Sequence, residues 1–335
     1  MPDKITTLAE TGEREYIRTI RELMPGDGGL GGIIVRSVGD DCLVTEPPVG
    51  GHVLSTIDTF VENVHFRRDF AGFDHIGRRC MVASVSDIAA MAGTPSFSLV
   101  SLSMPKTMKT HDAVGLFRGL QDAALEYGCP VAGGETTSTG GPVTVTVTVI
   151  GVSGQSGTVF RSGAQPGDGI YVTGTPGDAM AGLIAVERRE TGFGRLTEKF
   201  LTPAALVIHA RELVARYPVT SMIDISDGLA VDLGHICEES GCGAEIVEEL
   251  IPLSDEYRLF AEKTGLDTTV FALSSGEEFE LLFTSGDRSM PGLFHLVDRP
   301  VTRIGTIVEQ SGGMTIRRKN DRKEPLFSYG YEHFT

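Results

Sequence analysis

The 335-residue sequence predicts two domains of mixed α and β structure. The length suffices for two hydrophobic cores of ordinary size. Short apolar runs with strand spacing alternate with runs of helical spacing in both halves of the chain. A glycine- and serine-rich stretch, residues 153–157, lies between the halves. We therefore predict an α+β or α/β domain over residues 1–152 and a second domain over residues 153–335.

The composition excludes several classes of protein. A net charge of -16 argues against a nucleic-acid or anionic-membrane partner, since both are bound through a positive field. The five cysteines are odd in number and form no Cys-x-x-Cys pair, so neither a disulfide framework nor a zinc site is indicated. No apolar run has the length of a signal-peptide core or a membrane span, and we expect a cytoplasmic protein.

The first half begins with a predicted helix over residues 13–24, which stops at Pro25. The loop Gly26–Gly32 formally contains Gly-x-Gly-x-x-Gly. The dinucleotide-binding motif needs a strand before it and a helix after it, and the order here is reversed, so we interpret a flexible surface loop. Downstream, the periodicity predicts a helix over residues 112–127 capped by Thr110, a helix over residues 74–91, and strands over residues 33–35, 42–44, 52–57, 96–104 and 143–152.

The second half begins with a turn at Gln165–Asp168 and a strand over residues 169–173. The glycine-rich turn Gly174–Asp178 then opens an alanine-rich helix. Such a turn can bind phosphate at a helix N-terminus, or it can be a plain turn with Asp178 as the capping residue. The sequence leaves both interpretations open. Further strands are predicted over residues 221–225, 269–272, 280–284 and 302–307.

Short acidic turns are spread over nearly two hundred residues, and each joins a carboxylate to Gly, Ser or Thr beside an apolar run. They are Gly39–Asp41, Asp58–Thr59, Ser86–Asp87, Gly133–Glu135 and Asp224–Gly228. Two carboxylates about 4 Å apart repel by roughly 4 kcal/mol at an effective dielectric of about 20. A convergent cluster would therefore require divalent cations. Hard cations with oxygen ligands usually accompany phosphate, so the turns indicate phosphoryl chemistry.

Two of these turns favour a site by themselves. Asp87 lies in the nearly uncharged run 81–92, which is typical of a buried helix. An ionised carboxylate there is costly unless it is paired, caps a local amide or binds a metal. Asp224–Gly228 closes a strand and opens a helix, and its two aspartates and one serine exceed what an N-cap needs.

The other turns are ambiguous alone. Gly39–Asp41 favours a plain turn, and Asp58–Thr59, at the end of a predicted strand, is undecided. The paired glycines of Gly133–Glu135 suit either a turn or close approach to a ligand. The sequence contains neither Gly-x-x-x-x-Gly-Lys-Ser/Thr nor His-Glu-x-x-His, so a Walker-type loop and zincin chemistry lack support. A lone histidine such as His65 is more often structural than catalytic.

In order and spacing, these motifs resemble the thiamine-monophosphate kinases, whose superfamily includes aminoimidazole ribonucleotide synthetase, selenophosphate synthetase and a hydrogenase-maturation protein. The resemblance runs from about Gly39 to the C-terminus. It rests on Val38–Cys42, Asp58–Thr59 with His65, Ser86–Met91, Arg161–Ala164, Pro166–Asp168, Tyr171–Asp178, Asp224–Leu229, Ser275–Leu281 and Gly330–Phe334.

The resemblance implies an α+β, two-domain synthetase-like fold. In that fold the sheet of an N-terminal mixed domain, which binds metal and ATP, pairs into a barrel across a homodimer. A C-terminal α/β sandwich domain carries a substrate-contacting tail. The implied reaction moves the γ-phosphoryl group of ATP onto thiamine monophosphate to give thiamine diphosphate, with several Mg²⁺ ions. The alternative is a related ATP-dependent kinase or synthetase acting on another small phosphorylated metabolite.

The resemblance also implies roles for individual residues. No residue is assigned a covalent or acid–base role, because the transfer is in-line and metal-assisted. The substrate would contact His65, Glu277 and Tyr331. ATP would contact Gly134, Glu135, Arg161 and Ser226. The metal ligands would be Asp41, Thr56, Asp58, Asp87, Glu135, Asp224 and Asp227.

The sequence departs from the family pattern in three places. Glu135 stands where Asp is usual, and Ile57 replaces a Thr before Asp58. Glu278 and Phe279 stand where Asp and Tyr are common. The first two departures motivate a further hypothesis, a nucleotide-binding module without turnover.

Overall fold

The structure, a computed structural model, describes residues 7–11, 16, 19, 22–23, 34–36, 44–45, 52–153, 157–287, 289–327 and 330. The loop Gly26–Gly32 and most of the predicted helix over residues 13–24 lie outside the described residues. The chain divides into two compact units. Unit 1 comprises residues 1–88 and 93–153, and unit 2 comprises residues 89–92 and 154–335. Across the described ranges, no helix combines the length and apolarity needed to cross a bilayer.

Unit 1 combines helices with a four-stranded sheet. Its elements are α1 (Leu8–Thr11), β1 (Ile34–Arg36), β2 (Val44–Thr45), β3 (Val53–Val61), α2 (Phe73–Ala90), β4 (Gly93–Pro105), α3 (Thr110–Glu126), β5 (Val131–Thr139) and β6 (Thr144–Ser153). The strand order of the sheet is β3-β6-β4-β5, and β1 pairs separately with β2. β5 lies parallel to β4, and the other neighbours in the sheet are antiparallel.

The alternation of valine and threonine explains strand β6. Val145, Val147 and Val149 are fully buried, whereas the threonines between them are partly exposed. This period of two gives the sheet one apolar face. The strand predicted over residues 143–152 is confirmed, as are the helices predicted over residues 74–91 and 112–127.

Helices α2 and α3 approach each other so closely that glycine is required at the crossing. A Cβ atom at Gly119 would lie 1.9 Å from the carbonyl oxygen of Asp74. A Cβ atom at Gly77 would lie 2.1 Å from the carbonyl oxygen of Leu116. The absence of a side chain at both positions lets the two backbones touch.

Three local predictions in unit 1 were wrong. Strand β3 pairs with β6 up to Val61, so Asp58–Thr59 lies inside the strand and not at its end. Gly133–Glu135 lies inside strand β5, because this segment pairs with β4. Thr110 is the first residue of α3, and Lys109 holds the N-cap position without a side-chain cap. The Thr110 hydroxyl instead lies 2.5 Å from that of Thr11.

Unit 2 is built on an eight-stranded sheet. Its elements are β7 (Gly169–Thr173), α4 (Asp178–Glu187), α5 (Gly194–Leu201), α6 (Val207–Arg216), β8 (Val219–Asp224), α7 (Leu229–Ser240), β9 (Cys242–Val247), α8 (Asp255–Thr264), α9 (Thr268–Ser274), β10 (Leu281–Ser285), β11 (Leu293–Leu296), β12 (Arg299–Glu309), β13 (Met314–Arg317) and β14 (Lys323–Pro325), with 3-10 turns at Glu248–Leu250 and Gln310–Gly312. The order is β14-β13-β9-β12-β7-β10-β8, with β11 beside β12. Among the described strands of unit 2, only β13 and β9 pair in parallel, so this unit is of the α+β type.

Helix α7 is positioned by its apolar side. Leu229, Leu233 and Ile236 are fully buried in one cluster with residues of the sheet. The strand predicted over residues 269–272 was wrong, because this segment is helix α9. Asp267 caps that helix by accepting hydrogen bonds from the amides of Thr269 and Val270 at 3.0 and 2.9 Å.

Candidate functional site

Two of the predicted acidic residues of unit 1 lie between strand β3 and helix α2. Alternate β3 residues face this helix, among them Thr56 and Asp58. The Thr56 hydroxyl donates a hydrogen bond of 2.5 Å to Oδ2 of Asp87. The Ser84 hydroxyl donates one of 2.6 Å to Oδ2 of Asp58. Because Ser84 and Asp87 are three residues apart, they share one side of α2.

The environment of Asp58 disfavours its charged form. Burial raises the pKa of the Asp58 carboxyl, and the hydrogen bond from Ser84 opposes this rise. Thr56, Asp58 and Asp87 offer only oxygen ligands, the type that Mg²⁺ prefers. A bound cation would favour the ionised carboxylates that burial penalises. The donor set therefore fits a magnesium ion.

Glu135 lies on the opposite face of the same sheet. The pairing register places Thr59, Thr146, Ser101 and Glu135 in one row across the four strands. Paired residues point to one side of a sheet, and this side is the one opposite to Asp58. Within unit 1 the structure therefore does not bring Glu135 together with Asp58 and Asp87.

The two family departures in unit 1 share that opposite face. Ile57 is 66% exposed, and it pairs with Thr148. Strand β3 lies at one edge of the sheet and β5 at the other, so three strand spacings, about 14 Å, separate Ile57 from Glu135.

Gly134 is required by close strand packing, since its Cβ would lie 1.8 Å from the carbonyl oxygen of Val100.

His65 follows strand β3 in a turn. Its Nδ1 accepts a hydrogen bond of 3.0 Å from the amide of Val61, and its ring lies edge-on to Phe60 at 5.6 Å. Because Nδ1 accepts, the neutral ring carries its proton on Nε2. The turn therefore fixes the tautomer of His65.

The acidic turn of unit 2 is organised by a carboxylate that the sequence reasoning missed. Asp224 is the last residue of β8 and is buried. Oδ2 of Asp232, on helix α7, accepts hydrogen bonds from the amides of Ser226, Asp227 and Gly228 at 3.1, 3.2 and 3.1 Å. Burial, followed by the charge on Asp227, raises the pKa of Asp232 to about 7.

One further residue joins this turn. Asp227, Asp232 and His235 each offer one ligand atom, and these atoms all lie within 4.8 Å of one another. The spacing of Asp232 and His235, three residues along a helix, was the signal available in the sequence. Carboxylate and imidazole groups at this distance can hold a divalent cation.

The structure places Glu277 beside this turn. The amide of Glu277 donates a hydrogen bond of 2.8 Å to the carbonyl oxygen of Ser226. A Cβ atom at Gly330 would lie 2.6 Å from the carbonyl oxygen of Asp227, so the chain near its C-terminus also reaches the turn. The predicted site residues Asp41 and Tyr331 lie outside the described residues.

Arg161 is not brought to Ser226 within unit 2. Its carbonyl oxygen accepts a hydrogen bond of 3.3 Å from the hydroxyl of Ser240, the last residue of helix α7. Ser226 lies before the first turn of the same helix, which is about 18 Å long. The exposed Arg161 side chain therefore begins at the far end of α7.

The glycine-rich turn Gly174–Asp178 is occupied by a protein carboxylate. Oε1 of Glu278 accepts hydrogen bonds from the amides of Gly177 and Ala179 at 2.8 and 3.1 Å. Gly177 is the N-cap residue of α4, so Asp178 does not cap this helix. Glu278 takes the position that a phosphate would need.

Comparison with known proteins identifies the family. Residues 39–153 match the model of the AIR synthase related protein, N-terminal domain, and residues 165–317 match that of its C-terminal domain. A thiamine-monophosphate kinase of Rhodopirellula baltica is 32% identical over 311 residues, which cover 90% of this chain and 92% of that protein. The chain belongs to the thiamine-monophosphate kinase family of AIR synthase related proteins.

Similarity to this family extends over nearly the whole chain. A thiamine-monophosphate kinase of Aquifex aeolicus is 32% identical over 332 residues, covering 98% of this chain and 99% of that protein. The solved structure of "AaThiL complexed with AMPPCP and TMP" is 28% identical, with a TM-score of 0.76 and coverage of 98% of both chains. Both units thus have the fold of the family.

Proposed function

We propose that this protein is an ATP-dependent kinase that transfers the γ-phosphoryl group of ATP to thiamine monophosphate, giving thiamine diphosphate. Its similarity to thiamine-monophosphate kinases over nearly its whole length carries the proposal. A relative of the same fold binds AMPPCP and TMP together. The acidic residues present in both units supply the charge that such a reaction needs.

Each unit would supply oxygen ligands for Mg²⁺. In unit 1 the ligands would be Thr56, Asp58 and Asp87, and in unit 2 they would be Asp224 and Asp227. Bound Mg²⁺ neutralises phosphate charge and orients the transferring group. Asp41 remains a proposed ligand. Glu135, on the other face of the unit 1 sheet, remains proposed as an ATP contact and as a metal ligand, and Gly134 remains proposed as an ATP contact.

The acceptor needs little help from a general base. A phosphate monoester has a second pKa of about 6, so its oxygens are already largely ionised near neutral pH. The Nε2–H of His65 can donate to such an oxygen. The carboxylate of Glu277 suits the cationic thiazolium ring of thiamine. Arg161 and Ser226 would contact ATP, and Tyr331 would contact the acceptor.

The proposed assembly is a cytoplasmic homodimer in which two unit 1 sheets pair. One face of the unit 1 sheet is packed on α2, and its other face carries large apolar side chains in contact with solvent. Val53 and Ile57 on β3 are 55% and 66% exposed. An exposed apolar sheet face of this kind supports burial against a second copy.

The proposal is tested by incubating the protein with ATP, Mg²⁺ and thiamine monophosphate and separating the products by chromatography. Thiamine diphosphate should form in proportion to ADP. A panel of other phosphorylated acceptors, scored by ADP release, tests the alternative substrate. Binding of ATP without ADP release for any acceptor would instead support a module without turnover, and Ile57→Thr with Glu135→Asp should then raise activity.

The departures at positions 278 and 279 do not favour the alternative substrate. Glu278 is fully buried and Phe279 is 4% exposed. Neither side chain is available to contact an acceptor directly. Their influence on a substrate would have to pass through Glu277.

A further inference from the structure

The segment Ser275–Glu280 presents Glu277 in an unusual backbone conformation. Glu277 and Phe279 have φ angles of 56° and 51°, in the left-handed region that disfavours residues with a side chain. Non-glycine residues keep such angles only where their surroundings determine them, and they cluster at functional sites. Something in unit 2 must therefore hold this segment.

The residue between the two left-handed positions is Glu278, and its carboxylate is anchored. Oε1 accepts hydrogen bonds from the amides of Gly177 and Ala179 at the N-terminus of α4 and from the hydroxyl of Ser275 at 2.6 Å. An anionic acceptor at a helix N-terminus is favoured by the helix dipole. Oε2 has no hydrogen-bond partner among the described residues.

The backbone on either side is tied to the acidic turn. The amides of Glu277 and Phe279 donate hydrogen bonds to the carbonyl oxygens of Ser226 and Ile225 at 2.8 and 2.9 Å. Within Ser275–Glu280, Glu277 is partly exposed and the other residues are buried. The hydrogen bonds between Glu278 and the N-terminus of α4 therefore hold the backbone that carries the Glu277 side chain.

We propose that Glu278 is a positioning residue, which holds Glu277 in its left-handed conformation and thereby sets the affinity for the phosphorylated acceptor. This inference rests on the proposed function, in which Glu277 contacts the acceptor. Glu278 does not touch the substrate. The longer Glu side chain, in place of the Asp common in the family, reaches the two amides of α4.

The first test compares Glu278→Ala with Glu278→Gln. The Ala variant should raise KM for thiamine monophosphate by about tenfold, with KM for ATP changed less than about twofold. The Gln variant keeps an acceptor oxygen for all three donors and should stay within about twofold of the native protein. Asp168→Asn is the matched control. It alters a buried carboxylate that accepts from the Gln165 amide at 3.0 Å and the Thr220 hydroxyl at 2.7 Å, so it should destabilise the fold without changing KM.

The second test places Glu278→Ala in a Glu277→Gln background. If Glu278 acts through Glu277, adding Glu278→Ala to this background should change KM for the acceptor by less than about twofold. The same tenfold rise in both backgrounds would overturn the proposal. Hydrogen exchange of peptides covering residues 275–280 should also be at least about tenfold faster in Glu278→Ala, and unchanged exchange would overturn it too. Because exchange needs no substrate, a native protein without kinase activity would defeat the proposed function and leave the backbone result readable.

Discussion

Thr56 of strand β3 donates a hydrogen bond of 2.5 Å to Asp87 of helix α2. The contact joins residues 31 positions apart and fixes the Asp87 carboxylate toward the side of β3 that also carries Asp58. Two acidic residues that are separate in the sequence thus become neighbours across one strand–helix contact. Such a fixed carboxylate can bind a cation without first being ordered.

Asp87→Asn should lower thiamine diphosphate formation by about 100-fold or more while the protein stays folded. The amide can still accept the Thr56 hydrogen bond, but it lacks the charge that a magnesium ligand supplies. Steady-state turnover measures the loss, and circular dichroism on heating checks the fold. Asp122→Asn, on the exposed side of α3, is the control and should be neutral. Full activity in Asp87→Asn would refute a metal role.

Ser84→Ala should weaken magnesium use with only a small loss of stability. The 2.6 Å hydrogen bond from Ser84 opposes the rise that burial causes in the pKa of Asp58. Without this bond the pKa rises further, and the neutral form of Asp58 becomes more favoured. We expect the half-saturating Mg²⁺ concentration to rise about tenfold and the free energy of unfolding to fall by about 1 kcal/mol. A magnesium titration of turnover measures this. The exposed Ser138→Ala on β5 should leave it unchanged, and an unshifted titration in Ser84→Ala would contradict the role of Ser84.

Sequence periodicity predicted the regular elements well, because an element that buries one face carries apolar residues at a regular spacing in the sequence. The valines of β6 are an example. The segment that became β5 contains Gly133, Gly134 and several polar residues, and its strand conformation comes from pairing with β4. Sequence alone therefore could not place Glu135 on the face opposite Asp58. Helix α9 was predicted as a strand because its run of β-branched residues is typical of strands. This run hid the N-cap signal of Asp267.

Asp232, His235 and Glu278 were not predicted as parts of a site. The three-residue spacing of Asp232 and His235 on α7 was a signal that the prediction did not use. Glu278 meets the N-terminus of α4, about one hundred residues earlier in the chain. Such a contact leaves no periodic signal. The residue types of the turn itself indicated Asp224 and Asp227, whereas the family resemblance supplied Glu277, and the structure brings Glu277 beside the turn that carries both aspartates.

Two glycines of helix α3 should respond oppositely to the same substitution. Gly119→Ala would place a methyl group 1.9 Å from the Asp74 carbonyl oxygen and should lower the free energy of unfolding by about 3 kcal/mol. Gly115→Ala meets only an ordinary contact of 3.7 Å with Phe73 and should raise it by up to about 1 kcal/mol. Urea denaturation measures both. Equal effects would show that the close crossing of α2 and α3 does not limit stability.

Glu278 should make stability depend on pH in the range where carboxylates are normally already ionised. Burial raises the pKa of Glu278 from 4.5 to about 7 in the folded protein, and the charge of Lys199 opposes this. The folded state therefore binds more protons than the unfolded state between these pH values. By linkage, the contribution of Glu278 to stability is fully present below pH 4.5 and is lost as pH rises through about 7.

The neutral variant Glu278→Gln removes this proton uptake. The difference in unfolding free energy between native protein and variant should fall by about 3 kcal/mol from pH 4.5 to about 7 and stay level above that. Urea denaturation at a series of pH values measures it, with the exposed Glu262→Gln on α8 as a control that should run parallel to the native protein. A level difference for Glu278→Gln would mean that Glu278 is ionised throughout. The buried Oε2 would then need a donor or cation that stabilises its charge.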